Sequence, residues 1–178
     1  YQTYDVTEFV NRGKNAISAL LGDGWYGSAL TWVGMHFFAP PNRLRVQLEL
    51  DYSDGGHDTI TTDESWKASA SPILQSQVYG GETYDARREQ TGWQLPAFDD
   101  SSWTQVSIAG SPAVALTSQP AEPVHVIDTL APKSVNPLPS GAYVFDMGQN
   151  MVGWVTLKVK GPSGTKIRLR FAEIRNTD

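Results

Sequence analysis

Two short stretches of the chain carry residue types that bind polyhydroxylated molecules. In Gly22-Asp23-Gly24-Trp25-Tyr26 a carboxylate stands beside two aromatic rings, flanked by glycines that let a backbone approach closely. Such a ring stacks on the C–H face of a sugar while the acid accepts from its hydroxyls. In Tyr79-Gly80-Gly81-Glu82-Thr83-Tyr84-Asp85-Ala86-Arg87 two further carboxylates lie near an aromatic ring and a guanidinium. The candidate sugar contacts are therefore Asp23, Trp25, Tyr26, Glu82, Tyr84, Asp85 and Arg87. Asp23, Glu82 and Asp85 are also candidate calcium ligands, because Ca²⁺ takes six to eight oxygens and tolerates irregular loops. Each stretch has a structural reading beside this one. Trp25 would plug the end of a sheet while Asp23 caps local amides, and Asp85 or Glu82 would pair with an arginine to brace a long loop.

Other polar groups point away from chemistry. Asp99 and Asp100 are neighbours; on a strand they would face opposite ways, and within Phe98-Asp99-Asp100-Ser101-Ser102-Trp103 they suit a turn held by side chain-to-backbone bonds. His36, His57 and His125 are scattered, without metal-ligand spacing. Gln149-Asn150 reads as turn chemistry at a strand start. No G-x-S-x-G elbow, dinucleotide fingerprint or phosphate loop occurs. The aromatic loop around Trp32, Phe37 and Phe38 would either line a ligand cleft or cover an apolar patch against a neighbouring domain.

Positioning these groups falls to β-structure. Of 178 residues 40% are hydrophobic and 19% charged, with 16 Gly and 11 Pro, which suits short strands joined by tight turns. The net charge of −5 argues against nucleic acid, and the lack of a basic run argues against an anionic membrane surface. No cysteine is present, which excludes disulfides and thiolate metal sites and leaves the compartment open. No apolar run approaches the roughly 18 residues of a membrane helix. The opening at Tyr1, with neither Met nor a signal-peptide pattern, suggests an excised or processed piece.

Leu44, Val46, Leu48 and Leu50 alternate with Arg45, Gln47, Glu49 and Asp51, which predicts a half-buried strand over Arg43–Tyr52. Asp54-Gly55-Gly56 turns it back into His57–Thr62. Further strands are expected at Asn15–Leu21 (a run short enough that helix is the alternative), Glu64–Ala68, Thr104–Ile108, Val124–Ile127, Ala142–Phe145, Gly153–Lys160 and Thr165–Phe171, the last two forming a hairpin. Asp5 is expected to cap a helical turn over Val6–Val10 with Glu8 as its partner. Ser69–Pro96 reads as irregular. The prolines between Gly110 and Pro139 mark an edge-strand or linker region. The expected division is residues 1–111 as one β-sandwich, 112–140 as linker, and 141–178 as the start of a second.

In order and spacing, YDVTEFV with NRGKNAISALLGDGWY, then TDESWKAS, YGGETYDAR, GWQLPAFDDSSW and FDMGQNMVGWVTLKVKGPSGTKIRLRFAE resemble the N-terminal modules of bacterial α-L-rhamnosidases of glycoside hydrolase family 78. FDMGQNMVGW is the most specific of them, GDGWY followed by GETYDAR the next, and the opening motif the least. The resemblance implies a galactose-binding-like jelly-roll β-sandwich, here without its first strands, followed by the first strands of a second sandwich. It implies rhamnosides and a helical (α/α)₆ catalytic domain as partners. Family members hydrolyse terminal α-L-rhamnose with inversion, through two carboxylates on that helical barrel, so no catalytic residue maps onto this chain. Some similar modules hold rhamnose through bound calcium. The expected role is therefore accessory or carbohydrate-binding, with a purely structural buttress to the catalytic domain as the alternative.

Overall fold

The computed structural model describes residues 1–29, 41–110 and 114–174. The aromatic loop at Trp32–Phe38, His36 and Pro112 lie outside the described residues. The chain is all-β apart from single helical turns, and divides into two compact units, Tyr1–Ser118 and Gln119–Asp178.

In the first unit, β1 (Gln47–Asp51) pairs antiparallel with β2 (His57–Thr61), from Gln47↔Thr61 to Asp51↔His57. Tyr52 N donates to Gly56 O at 2.8 Å across the expected turn, and Thr62 N to Val46 O at 3.0 Å. Leu48 and Leu50 are half-buried while Gln47, Glu49 and Asp51 are exposed, the two faces that alternation dictates. On the outer face His57 sits between two carboxylates, with Nδ1 2.8 Å from Asp51 Oδ1 and Nε2 2.9 Å from Glu49 Oε2. The Asp51 bond, and then both nearby charges, raise its pKa above that of a free histidine.

The short β3 (Lys67–Ala68) pairs with β6 (Thr104–Gln105). Between them the turn Asp99–Trp103 takes its expected form. Ser101 N donates to Asp99 Oδ1 at 3.0 Å, Lys67 Nζ reaches Asp100 Oδ1 at 2.7 Å, and the Phe98 and Trp103 rings meet edge-on at 5.5 Å. The Val6–Val10 turn is a 3₁₀ turn over Thr7–Phe9, with Asp5 Oδ1 accepting from Thr7 N at 3.0 Å.

Four expectations are corrected. Ser69–Pro96 is not irregular: it holds β4 (Ile73–Gln77) and β5 (Gly81–Tyr84), an antiparallel hairpin. Gly81 has φ +76°, a conformation that strains residues with a Cβ, so this position calls for glycine. Asn15–Leu21 forms no ladder and lies exposed, as does Val124–Ile127. In the second unit the turn between the expected C-terminal strands forms, with Thr165 N donating to Pro162 O at 3.1 Å. Its flanks Gly153–Lys160 and Thr165–Phe171 do not pair, and Val155, Leu157, Ile167 and Leu169 remain exposed. A two-stranded hairpin is marginal unless one face is covered, and among the described residues none covers this one. The ladder that does form in this unit joins β7 (Ser134–Pro137) to β8 (Tyr143–Asp146), and only the second of these strands was expected.

Candidate carbohydrate-binding site

The two candidate stretches, separated by more than fifty residues, meet in the first unit. Gly24–Gly27 forms one helical turn, α1, closed by Gly27 N donating to Asp23 O at 2.8 Å and by the Ser28 hydroxyl donating to Gly24 O. The turn packs close to its surroundings: a Cβ on Gly27 would fall 2.5 Å from Asn42 Oδ1, and Asn42 Nδ2 donates to Gly22 O at 2.9 Å. α1 lies against β4.

Asp23 does not cap its own helix. Its Oδ2 accepts from Ser76 N at 3.3 Å. In a two-stranded ladder alternate N–H groups point outward, away from the partner strand, and Asp23 takes one of these on β4. Trp25 then reaches the tip of the β4–β5 hairpin, where it meets Tyr79 edge-to-face, with ring centroids 6.4 Å apart and planes at 68°. Both rings stay open to solvent, 59% and 55% exposed, and Tyr26 beside them is exposed as well.

Glu82 stands on the same hairpin. It pairs with Ser76 across the ladder, and directly opposed side chains share a face. The Ser76 hydroxyl points at Gly22, 3.6 Å from where a Cβ would stand, so Glu82 leaves the hairpin on the side of Gly22 and Asp23. Among the described residues it is exposed with no hydrogen bond or ion pair. Tyr84 lies on the same face by alternation; its hydroxyl donates to Glu89, which raises its pKa.

Asp85 and Arg87 are committed to each other. Arg87 Nε and Nη2 donate to Asp85 Oδ1 and Oδ2 at 2.8 and 2.7 Å, and Arg87 N donates to Oδ1 at 3.2 Å. These bonds hold the Asp85 carboxyl at a pKa of about 2. The pair braces the chain where it leaves β5, as its structural reading expected. Asp23, Glu82 and Asp85 do not gather into a ligand set: among the described residues no group of three or more His, Asp or Glu is arranged to hold a metal ion. Two shallow recesses, around Thr62–Ser65 with Ile108 and around Thr91–Asp99, are lined by none of the candidate residues.

The structure thus brings Trp25 to Tyr79, which had been part of the motif but not of the candidate set, places Asp23 as the brace of that hairpin, and sets Glu82 opposite Ser76 on it. A signal for Tyr79 was present. Gly80-Gly81 is a hairpin-turn dipeptide, and reading it so puts Tyr79 at the tip.

Comparison with known proteins gives the family. Residues 1–128 match the α-L-rhamnosidase N-terminal domain, and residues 136–178 match the bacterial α-L-rhamnosidase concanavalin-like domain. An α-L-rhamnosidase of Streptomyces avermitilis is 41% identical over 100% of this chain and 17% of its own length. One from an Alteromonas species is 38% identical over 96% of this chain and 19% of its own. The crystal structure of the Streptomyces avermitilis α-L-rhamnosidase complexed with L-rhamnose superimposes on 72% of this chain and 12% of that one, at 36% identity and a TM-score of 0.65. The chain therefore spans under a fifth of the length of these relatives. Its all-β architecture agrees with the sandwich expected of a concanavalin-like domain, and the chain belongs to the α-L-rhamnosidase family, corresponding to the N-terminal region of its members.

Proposed function

We propose that this chain is a non-catalytic accessory segment of an α-L-rhamnosidase and that its own contribution is to bind L-rhamnose-bearing glycosides at the Trp25–Tyr79 corner. The observation that carries this reading is the edge-to-face meeting of two exposed aromatic rings, Trp25 and Tyr79, at the tip of a hairpin that Asp23 braces and that also carries Glu82. The rings offer a platform for the C–H face of a sugar, and Glu82 accepts from its hydroxyls. A relative solved with L-rhamnose makes that sugar the first to try. The proposal includes a jelly-roll sandwich of galactose-binding type for the first unit. It leaves hydrolysis of terminal α-L-rhamnosides to a catalytic domain of a longer protein.

Titration of the chain with L-rhamnose, followed through the Trp25 indole N–H resonance, tests the site. A saturable shift that Tyr79→Ala abolishes is the expected result. No shift, with calcium added or withheld, would sink the reading. A structural buttress to the catalytic domain is the second reading, favoured by one observation: among the described residues no side chain is fully buried, and large apolar side chains such as Ile127, Val152 and Trp154 stand in solvent.

A further inference from the structure

His57 on β2 turns both of its ring nitrogens to acceptors on β1. Nδ1 lies 2.8 Å from Asp51 Oδ1, its partner directly across the ladder. Nε2 lies 2.9 Å from Glu49 Oε2, two residues along the same face. An ionised carboxylate only accepts, and a neutral imidazole carries a single N–H. A neutral His57 therefore satisfies one of these contacts and sets a lone pair against the other. Thr59 does not relieve this. Its hydroxyl stands 3.2 Å from Nε2, but its own proton goes to Glu49 Oε2 at 2.6 Å, so towards the ring it only accepts. Glu49 is also held from the other side, where Gln47 Nε2 donates to Oε1; the Thr59 bond and then the Gln47 bond lower its pKa. The arrangement is that of an imidazolium with two N–H donors, and the raised pKa of His57 agrees with it.

We infer that His57 is a proton-operated clamp on the β1–β2 hairpin: as the imidazolium it ties β2 to both Asp51 and Glu49, and as the neutral ring it releases one of them. Among the described residues β1 is the element packed against β2, and Glu49 and Asp51 are the charged groups that face His57 from it. Asp58 lies on the opposite face, where Tyr52 Oη donates to it at 2.9 Å. Among the described residues neither Asp51 nor Glu49 has a lysine or arginine partner, so no other cation replaces the one that His57 gives up. A two-stranded ladder is marginal by itself, which makes it sensitive to a loss of this size. The folded ring holds its proton more tightly than the unfolded one. The clamp is thus complete below the ordinary pKa of 6.5 and is lost as the pH rises through the higher, folded value. The side chains are exposed, so salt weakens the effect.

The test follows the ring nitrogen resonances of His57 in the whole chain, beside the exchange protection of the Tyr52 and Thr62 amides, whose bonds to Gly56 O and Val46 O close the two ends of the ladder. A titration midpoint above that of a free histidine is expected, lowered by Asp51→Asn and by Glu49→Gln alike. Across that midpoint the protection of both amides is expected to fall a few-fold, the scale of an exposed ion pair, and by less at high salt. In His57→Gln, which does not titrate, the step is expected to vanish. The Asp85 amide, bonded to Pro72 O beside the other hairpin, is expected to show no step in either chain. A midpoint at the free-histidine value, or one that neither carboxylate substitution moves, overturns the clamp. So does a step that persists in His57→Gln, or a raised midpoint with no step in protection, which would leave His57 a charged surface group and no more. The Trp25–Tyr79 corner plays no part in these readouts.

Discussion

At Asp85 two demands fall on one carboxylate: it closes the turn after β5 by accepting from Arg87 N, and it takes both side-chain bonds of the same arginine. The spacing of two residues makes this possible, since the backbone turn brings the guanidinium back over the carboxyl. Such a pair leaves little capacity for a sugar or a metal, so here the structural reading of the motif prevails. The same pair makes stability depend on pH. The folded carboxyl titrates at about 2, below its ordinary 3.8, so the folded state binds that proton less readily than the unfolded one. The contribution is complete above about pH 4 and is lost as the pH falls toward the folded value. Arg87 is mostly exposed, so solvent screening keeps the effect modest. Melting temperatures measured between pH 5 and 2 should show the wild type losing more than Asp85→Asn, which starts lower. Parallel curves would mean that the pair contributes nothing to folding. Glu82, three residues earlier, has the same chemistry without a partner, and nothing in the motif alone distinguishes the two acids; the ladder register does.

Among the elements, legibility followed periodicity. Arg43–Tyr52 alternates without a fault, and β1 with its return strand β2 lies where that pattern and the Asp54-Gly55-Gly56 turn put it. β4 was illegible for a physical reason. The register slips between Ile73 and Gln75, so Leu74 is an extra residue and the two-residue period breaks inside the strand. β7 reads as Ser-Val-Asn-Pro, a composition poor in strand formers and closed by a residue that cannot donate to a ladder. Conversely, Gly153–Lys160 and Thr165–Phe171 alternate well and yet do not pair, because alternation records a capacity for half-burial that only a covering face can realise. The bond from Ser76 N to Asp23 is the element-scale contact that matters most to the site. It blunts one edge of β4 and fixes α1, and with it Trp25, against the hairpin. Asp23→Ala should cost about 0.5–1.5 kcal/mol, the net worth of an ordinary hydrogen bond, since the 3.3 Å separation offsets the charge on the acceptor. Asp23→Asn, which keeps an acceptor, should cost less. Amide exchange at Ser76 is the measurement: protection lost in the alanine variant and kept in the asparagine variant is the expected result, and equal protection in both would remove Asp23 from this role.

For the molecule as a whole, the family is written in the order of its motifs, while the extent of burial is written nowhere in them. A chain of 19.5 kDa is large enough to bury a core, yet among the described residues no side chain is fully buried. Large apolar side chains are left in solvent, from Phe9 and Ile17 in the first unit to Trp154 and Phe171 in the second. In the proposed setting, beside the catalytic domain of a longer protein, these are the surfaces with most to gain from cover. The denaturant sensitivity of unfolding scales with the surface newly exposed, which turns the shortfall into a measurable quantity. The urea m-value of this chain should fall below that of compact single-domain proteins of equal length. A full-sized m-value would mean that the chain alone buries what a compact domain buries, and that its apolar surfaces need no partner.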